Sequence, residues 1–460
     1  MAEIKRGPSL SRHCERSEAI QGNRLKNWAN GSGLLRFARN DGRRFCRIAL
    51  PCLAVFLSLA APALADELLP VPQSTPEALA YHQGQDRFWL ADQALGFILP
   101  AVILFTGWSA GIRSWASRVT GGRWYPTLAL FAAIYVVISA IVELPLGYER
   151  DYVFAHAYDQ SNQTMGKFLH DQGLGLVVQV IIIALVIWIP FLLIRRSPKR
   201  WWLWSTAALT PVVIVGIVLS PILISPLFNT FTPLPDGALK TRIEAEAARG
   251  GLTNATILKM DRSTDSKTFG AYVAGLGGTA RIVIYDTALT ALDEREILFV
   301  VGHEMKHYLL DDVWKIVGAD VVMLLVGFFA VDRLARAAIR RWSGPFGFTE
   351  LSDPAALPLL LFVFGMISLV ATPILNAASR HIEHEADRFG LELTRDNRAA
   401  ASTFIKRSNE AMGVPYPGWL ERTFRLDHPS LGDRITFGND YHPWADGKPL
   451  VYGGRIKPAE

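Results

Sequence analysis

The chain has 460 residues, a formal net charge of +5 and a pI near 9.0. Half of it is hydrophobic and its mean hydropathy is +0.21, which argues against an ordinary soluble globular protein and points to a bilayer. The basic balance does not imply a nucleic-acid partner: the first 65 residues hold eleven Lys/Arg against four Asp/Glu, and the remainder holds 36 against 38.

Residues 1–42 are polar, lack apolar periodicity and read as an extension behind a misplaced start. From Arg43 the pattern is that of a secretory signal peptide: Arg43, Arg44 and Arg47, an apolar run from Ile48 to Leu59, and Ala63-Leu64-Ala65 before Asp66. An uncleaved first membrane helix is the alternative. Cys14, Cys46 and Cys52 all lie in this leader. Without it the chain has no thiol, and any metal site must be built from His and carboxylates.

Six stretches are long and apolar enough to span a bilayer: about 92–112, 126–146, 173–194, 203–224, 313–332 and 355–375. The chain therefore divides into the leader 1–65, a four-span segment 66–225, a polar segment 226–312, two further spans over 313–376 and a second polar segment 377–460. Arginines cluster after the first span (Arg113, Arg118, Arg123), the third (Arg195, Arg196, Arg200) and the fifth (Arg333, Arg336, Arg340, Arg341). The positive-inside rule puts those loops in the cytoplasm and both polar segments outside, the periplasmic side of a bacterial inner membrane. A cleaved signal peptide predicts the same arrangement.

The first polar segment opens on a turn-rich linker with Pro226, Pro233, Pro235 and Gly237. A helix is predicted over 238–248, then strands at 271–273 and 281–285 around a turn with Gly275, Gly277 and Gly278. Thr290-x-x-Asp293 reads as a weak capping box opening the next helix. That helix carries His303-Glu304-Met305-Lys306-His307. Histidines at i and i+4 share one helix face and can reach one tetrahedral Zn²⁺, with the intervening Glu placed to shuttle a proton. This is the minimal kit of a metalloprotease; the plain alternative is two surface histidines flanking a glutamate.

Zinc needs a third protein ligand. The polar helix after the sixth span offers His381, Glu383, His384 and Glu385, and spacing does not choose among them. Asp387 lies on the same face one turn after Glu383, placed to accept a hydrogen bond from a ligand histidine.

The string Asn376-x-x-Ser379-Arg380-x-x-Glu383-x-x-Ala386-Asp387, together with the two-histidine motif, resembles the type I CAAX prenyl endopeptidases and their bacterial membrane relatives. The resemblance spans about 90 to 460. It includes Glu143-Leu144-Pro145-Leu146, the segment from Pro226 to Leu234, the strand from Arg281 to Thr287, and His428-Pro429-Ser430-x-x-Asp433-Arg434. It implies that Glu383 is the third ligand and that His428 stabilises the tetrahedral oxyanion. Arg434 either assists or braces the site through a carboxylate, and His381 and His384 are solvated or packing residues. Two departures stand out. The family often has an Asn before Ala271-Tyr272, proposed to contact substrate, and this chain has Gly270. Eukaryotic members expose the catalytic domain to the cytosol, opposite to the orientation read here.

The resulting expectation is a multi-pass α-helical membrane protein of about six transmembrane helices. Its catalytic domain is mostly helical, zincin-type, and carries a small β-sheet or hairpin. Its chemistry is that of a zinc metalloendopeptidase with one Zn²⁺ per chain, held by His303, His307 and Glu383. Glu304 serves as general base and then acid, and Asp387, Arg434, Asn376, Ala271 and Tyr272 support the site or the substrate. The 271–275 strand is either an edge for an extended peptide or an internal strand. Its partners are a peptide or membrane-protein substrate and the lipid bilayer, with no nucleic acid. Asp320 and Glu143 lie in or at the ends of spans, where ionisable groups face protein or water; the resemblance implies a water-filled chamber there. Two rival readings are a transporter with the histidines on an ion path, opposed by the absence of paired interrupted spans, and a zinc-binding quality-control scaffold, which has no need of Glu304.

Overall fold

A computed structural model describes residues 68–275 and 279–458. The expected signal peptide and its expected cleavage site, and Gly277 and Gly278, lie outside the described residues. Among the described residues, six helices are long and apolar enough to cross a membrane.

Thr75 opens α1 (Pro76–Phe105) by accepting a hydrogen bond from the Ala78 amide at 3.0 Å, with Pro76 at the position where a missing N–H costs nothing. The helix stops at Thr106, and Gly107, at φ +75°, turns the chain into α2 (Trp108–Val119). The span expected at 92–112 therefore straddles a break, and the real helix begins 16 residues earlier. Next come α3 (Trp124–Ala157), α4 (Met165–Arg196) and α5 (Trp201–Phe228). Both α3 and α5 widen into π-helix, at Tyr148–Phe154 and Ser220–Ile224. Pro145 lies just before the first of these stretches and Pro221 within the second; each lacks the amide that would close a regular turn.

The polar segment folds as α6 (Ala238–Gly250) and a four-stranded sheet of β1 (Phe231–Pro233), β2 (Thr256–Met260), β3 (Ala271–Ala274) and β4 (Arg281–Tyr285). The order is β1-β2-β4-β3, with β2 and β4 parallel and the outer pairs antiparallel. So β3 is an edge strand, not an internal one. The sheet contributes Ile257, Ile282 and Ile284 to a core shared with Ile243 and Ala247 of α6. Ile297, Val301 and Met305 of α7 (Glu294–Leu309) complete it, with Phe389 and Leu393 of α9 (Leu357–Thr394). Fully burying a side chain of this size stabilises by about 1.5–3 kcal/mol.

The cap of α7 differs from the one expected. Asp293, not Thr290, is the N-cap: it accepts from the Glu296 amide at 3.0 Å while the Glu296 carboxylate accepts from the Asp293 amide at 2.8 Å. The Glu three residues on decides the register. Only two residues separate α7 from α8 (Asp312–Phe346), the fifth apolar helix. The sixth, α9, runs without interruption from its apolar half through position 376 to Thr394, carrying the polar motif on the extension of a span. The described chain ends with α10 (Asn397–Glu410), α11 (Leu431–Asp440) and a tail that returns to α9. There the buried Glu392 accepts from the Tyr441 hydroxyl and from the Val451 and Tyr452 amides.

Candidate metal centre

Two glycines let α7 and α9 meet. A Cβ on Gly302 would lie 3.3 Å from Gly390 Cα, and a Cβ on Gly390 would lie 3.2 Å from the His303 amide nitrogen. This close approach sets His303 and His307 against Glu383. One ligand atom from each of the three residues falls within 4.8 Å of the others, the group among the described residues able to hold a metal ion.

Each imidazole is oriented from behind. Nδ1 of His303 lies 2.9 Å from Asp387 Oδ1, and Nδ1 of His307 lies 3.0 Å from Asp312 Oδ2. A carboxylate only accepts, so both Nδ1 atoms donate and both Nε2 lone pairs point inward. Nε2 of His303 is 3.2 Å from Glu383 Oε2, and Nε2 of His307 is 3.6 Å from Glu383 Oε1. Glu383 Oε2 is buried without a hydrogen-bond donor. An ionised carboxylate whose two oxygens each face an imidazole lone pair is unfavourable unless a cation sits among them, so the donor set fits a tetrahedral Zn²⁺ with a fourth position open. Burial pulls the His303 imidazole down, but the Asp387 and Glu383 carboxylates on either side of it outweigh this and raise it to about 9.

The braces are themselves braced. Arg434 grips Asp387 with both arms, Nε at 2.9 Å and a terminal nitrogen at 2.6 Å. It thus supports His303 through a carboxylate. Asp312 also takes Nζ of the buried Lys306 at 2.7 Å and Nζ of Lys315 at 2.7 Å. The other candidates on α9 turn away. His381 is exposed, His384 lies 4.3 Å between centroids from the Phe437 ring, and Glu385 binds Arg388 and the Tyr452 hydroxyl. Asn376 donates to the Thr423 carbonyl at 3.3 Å, tying α9 to the C-terminal segment rather than facing the metal group.

A cleft of about 520 Å³ opens beside this group, with Glu304, His303 and His428 on its wall. Burial raises the Glu304 carboxyl, the neighbouring His303 and His307 lower it, Glu383 raises it again, and the outcome lies above the ordinary range. His428 Nε2 stands 3.3 Å from Glu383 Oε2, its Nδ1 2.7 Å from Asp427. Gly270 and Ala271, at the start of the edge strand, also line the cleft, whereas Tyr272 does not; its ring meets Tyr285 at 6.3 Å, and burial raises its phenol to about 12. A Cβ at Gly270 would lie 3.1 Å from the Tyr285 ring, so Tyr285 fills the space an Asn side chain would need.

Sequence reasoning missed four wall or brace residues: Asp312, Tyr285, Arg262 and Arg407. Asp312, five residues past His307, offered a signal as an acid at a helix start beside the motif. Arg407 donates to the Phe269 carbonyl and lies over the Phe269 ring. Neither Arg262 nor Arg407 forms an ion pair with a carboxylate among the described residues. Away from the cleft, Glu143 borders a second, polar cavity with Asp92, Arg150, Gln172 and Gln179; Asp320 does not.

Comparison with known proteins gives a consistent picture. Residues 70–230 match the model described as CAAX prenyl protease N-terminal, five membrane helices, and residues 233–438 match that of peptidase family M48. A Bacillus subtilis protein described as an uncharacterized metalloprotease, YhfN, is 32% identical over 79% of this chain and 85% of its own. The CAAX prenyl protease 1 homolog of Arabidopsis thaliana is 28% identical over 77% of this chain and 85% of its own. The crystal structure of S. mikatae Ste24p superposes with a TM-score of 0.68 at 23% identity, covering 79% of this chain and 88% of that one.

Proposed function

The chain belongs to peptidase family M48, type I CAAX prenyl endopeptidase branch, as a multi-pass membrane metalloprotease, and on that premise we propose that it is a zinc endopeptidase. Its ligands are His303, His307 and Glu383, and its proton shuttle is Glu304. The observation that carries this is the convergence of three metal-ligand atoms within 4.8 Å beside a cleft whose wall carries one of them, His303, and the raised, buried carboxyl of Glu304.

Bound zinc would polarise the scissile carbonyl and lower the pKa of a water toward neutrality. Asp387 and Asp312 keep both Nε2 lone pairs aimed at the ion's position, and Arg434 holds Asp387 in place. Glu304 accepts the proton of the attacking water and passes it to the departing amine; burial, which raises its carboxyl above the ordinary range, makes it a stronger base for the first transfer. His428, whose Nε2 stands beside Glu383, donates from that nitrogen to the developing oxyanion when its imidazole carries a proton on both nitrogens, Nδ1–H staying on Asp427, a contribution of about 2.7–4 kcal/mol for one such donor. The free edge of β3 takes the peptide as an added strand with Gly270 and Ala271 at the reacting centre. The arginine distribution supports placing this site on the periplasmic face of a bacterial inner membrane, where membrane-anchored or misfolded membrane proteins are available substrates.

The test is cleavage of an unstructured casein peptide by the detergent-purified chain beside Glu304→Gln, and by a chelated sample restored with zinc. Cutting that is lost on mutation, lost on chelation and recovered with zinc is the expected result. A Glu304→Gln protein that cuts at the wild-type rate ends the proposal. A C-terminal reporter active only in the cytoplasm ends the assignment of sidedness.

A further inference from the structure

The opposite end of the membrane domain carries a third cavity, of about 520 Å³, that the peptidase chemistry does not use. Arg195, Arg336 and Arg340 line it with the hydroxyl-bearing Thr349 and Ser352 and the apolar Ile194, Ile339 and Leu351. One acid, Glu350, is on the wall, and it accepts from the Ser352 hydroxyl at 3.1 Å. Three guanidiniums line this cavity, of which only that of Arg336 is paired with a carboxylate, Asp332, so an anion among them relieves their mutual repulsion.

Two of these arginines are held in place. Arg336 donates from Nε to Asp332 at 2.7 Å and from a terminal nitrogen to the Pro198 carbonyl at 2.6 Å, which leaves its other terminal nitrogen for a ligand. Asp332 is itself fixed by the buried Trp201 indole at 2.6 Å. The Arg195 guanidinium lies over the Trp124 ring, 4.9 Å from its centroid. Arg340 forms no ion pair among the described residues and is exposed. Preorganised donors of this kind suit a phosphate.

The depth of the cavity selects the source of that phosphate. Arg336 follows Asp312 by 24 residues along α8, roughly 36 Å at 1.5 Å per residue, while the hydrocarbon core is about 30 Å thick. With Asp312 braced against the metal group at one surface, Arg336 and Arg340 stand at headgroup level on the other. Trp124, Trp201, Trp202 and Trp342 mark the same level. Exposed Leu334 and Trp342 offer apolar surface beside α8 for acyl chains. We infer that this cavity binds the phosphate of an anionic phospholipid headgroup, through Arg195, Arg336 and Arg340, with the lipid tails along α8.

The test is titration of the delipidated full chain, in neutral detergent, with phosphatidylglycerol or phosphatidylcholine, read by native mass spectrometry and thermal shift. Arg195→Gln and Arg340→Gln should each weaken phosphatidylglycerol binding about fivefold and together about twentyfold, with phosphatidylcholine unaffected. Arg336 is left intact because it also holds Asp332. Arg341→Gln, whose guanidinium lies near the Trp342 ring and outside the cavity, controls for the loss of a positive charge and should change binding less than twofold. Casein cleavage, measured beside these titrations, should be unchanged in all four variants, so a failed lipid site and a failed peptidase would be told apart. Equal binding of both lipids, or an Arg195/Arg340 double variant that binds phosphatidylglycerol as wild type does, overturns the site. Displacement of the lipid by millimolar inorganic phosphate overturns the lipid assignment and gives the cavity to a soluble phosphate.

Discussion

Replacing Gly390 with alanine tests whether the helix contact between α7 and α9 sets the metal geometry. A methyl group there would lie 3.2 Å from the His303 amide nitrogen, the Phe299 carbonyl oxygen and Phe299 Cε2. Comfortable separations are about 3.5–4.0 Å, so the helices must part by a few tenths of an ångström, and two of the three obstacles are backbone that cannot rotate aside. Overpacking of this kind costs about 1–3 kcal/mol, while Gly→Ala in a helix returns about 1 kcal/mol. The net loss of stability is therefore small, about 0–2 kcal/mol. The geometric effect is the larger one. His303 follows Gly302 directly, Glu383 precedes Gly390 by two turns, and metal–ligand distances tolerate shifts of only about 0.2 Å. Gly390→Ala should thus lose about tenfold or more in zinc affinity, measured against a chromophoric chelator, while thermal unfolding drops by only a few degrees. Gly318→Ala, in α8 with nothing within 4 Å of the new methyl, is the control and should leave zinc affinity unchanged. Wild-type zinc affinity in Gly390→Ala would refute the reasoning.

Three further outcomes are expected. Glu246, buried against Gly302 with an unpartnered Oε1, is pushed up by burial to about 8 from an ordinary 4.5. The folded state keeps a proton that the unfolded state loses between those values, so wild type should lose stability as pH rises through that window, by up to about 5 kcal/mol. Glu246→Gln should unfold at a higher temperature than wild type at pH 8 but not at pH 4.5, and parallel pH profiles would count against the assignment. Arg434→Lys removes the two-armed grip on Asp387 and should cost about 10–100-fold in zinc affinity, with turnover recovered at saturating zinc. A fall in kcat with zinc affinity intact would instead place Arg434 on the substrate. Arg407→Gln should lower kcat/KM about tenfold for peptides bearing a carboxylate in the cleft, and little for neutral ones, because no protein carboxylate pairs with that guanidinium among the described residues. An equal loss for both peptide classes would mean that Arg407 only supports the Phe269 turn.

The sequence made some parts of this site legible and hid others, for identifiable reasons. His303, Glu304 and His307 sit on one helix, where a local spacing of four residues is enough. Glu383 emerged only through family resemblance, because four ionisable groups crowd the same two turns of α9 and spacing does not reveal helix phase. Phase is set by packing: His384 lies against Phe437, and Glu385 is drawn to Arg388 and Tyr452. The strands β1 and β2 escaped notice because Phe231–Pro233 ends in a proline and Thr256–Met260 is a short run with one charge. Their pairing, Phe231 with Met260 and Thr256 with Arg281, is fixed by partners far along the chain. The first membrane helix was misplaced because apolar content continues through Gly107, where a left-handed turn ends it.

The bilayer and the metal group share their scaffolding. Glu383 and Asp387 ride on the uninterrupted extension of the sixth apolar helix, and Asp312, which orients His307, is the first residue of the fifth. A soluble zincin can build its ligands on elements held only by its own core. Here a tilt of α8 or α9 in response to bilayer thickness moves Asp312 against His307, or Glu383 against His303, directly. Lys306 resists such movement by bonding both Asp312, at 2.7 Å, and the Ile382 carbonyl of α9, at 2.8 Å. One buried ammonium thus ties α7, α8 and α9 together directly behind the three proposed ligands, whose hold on a metal would be sensitive to a shift of a few tenths of an ångström.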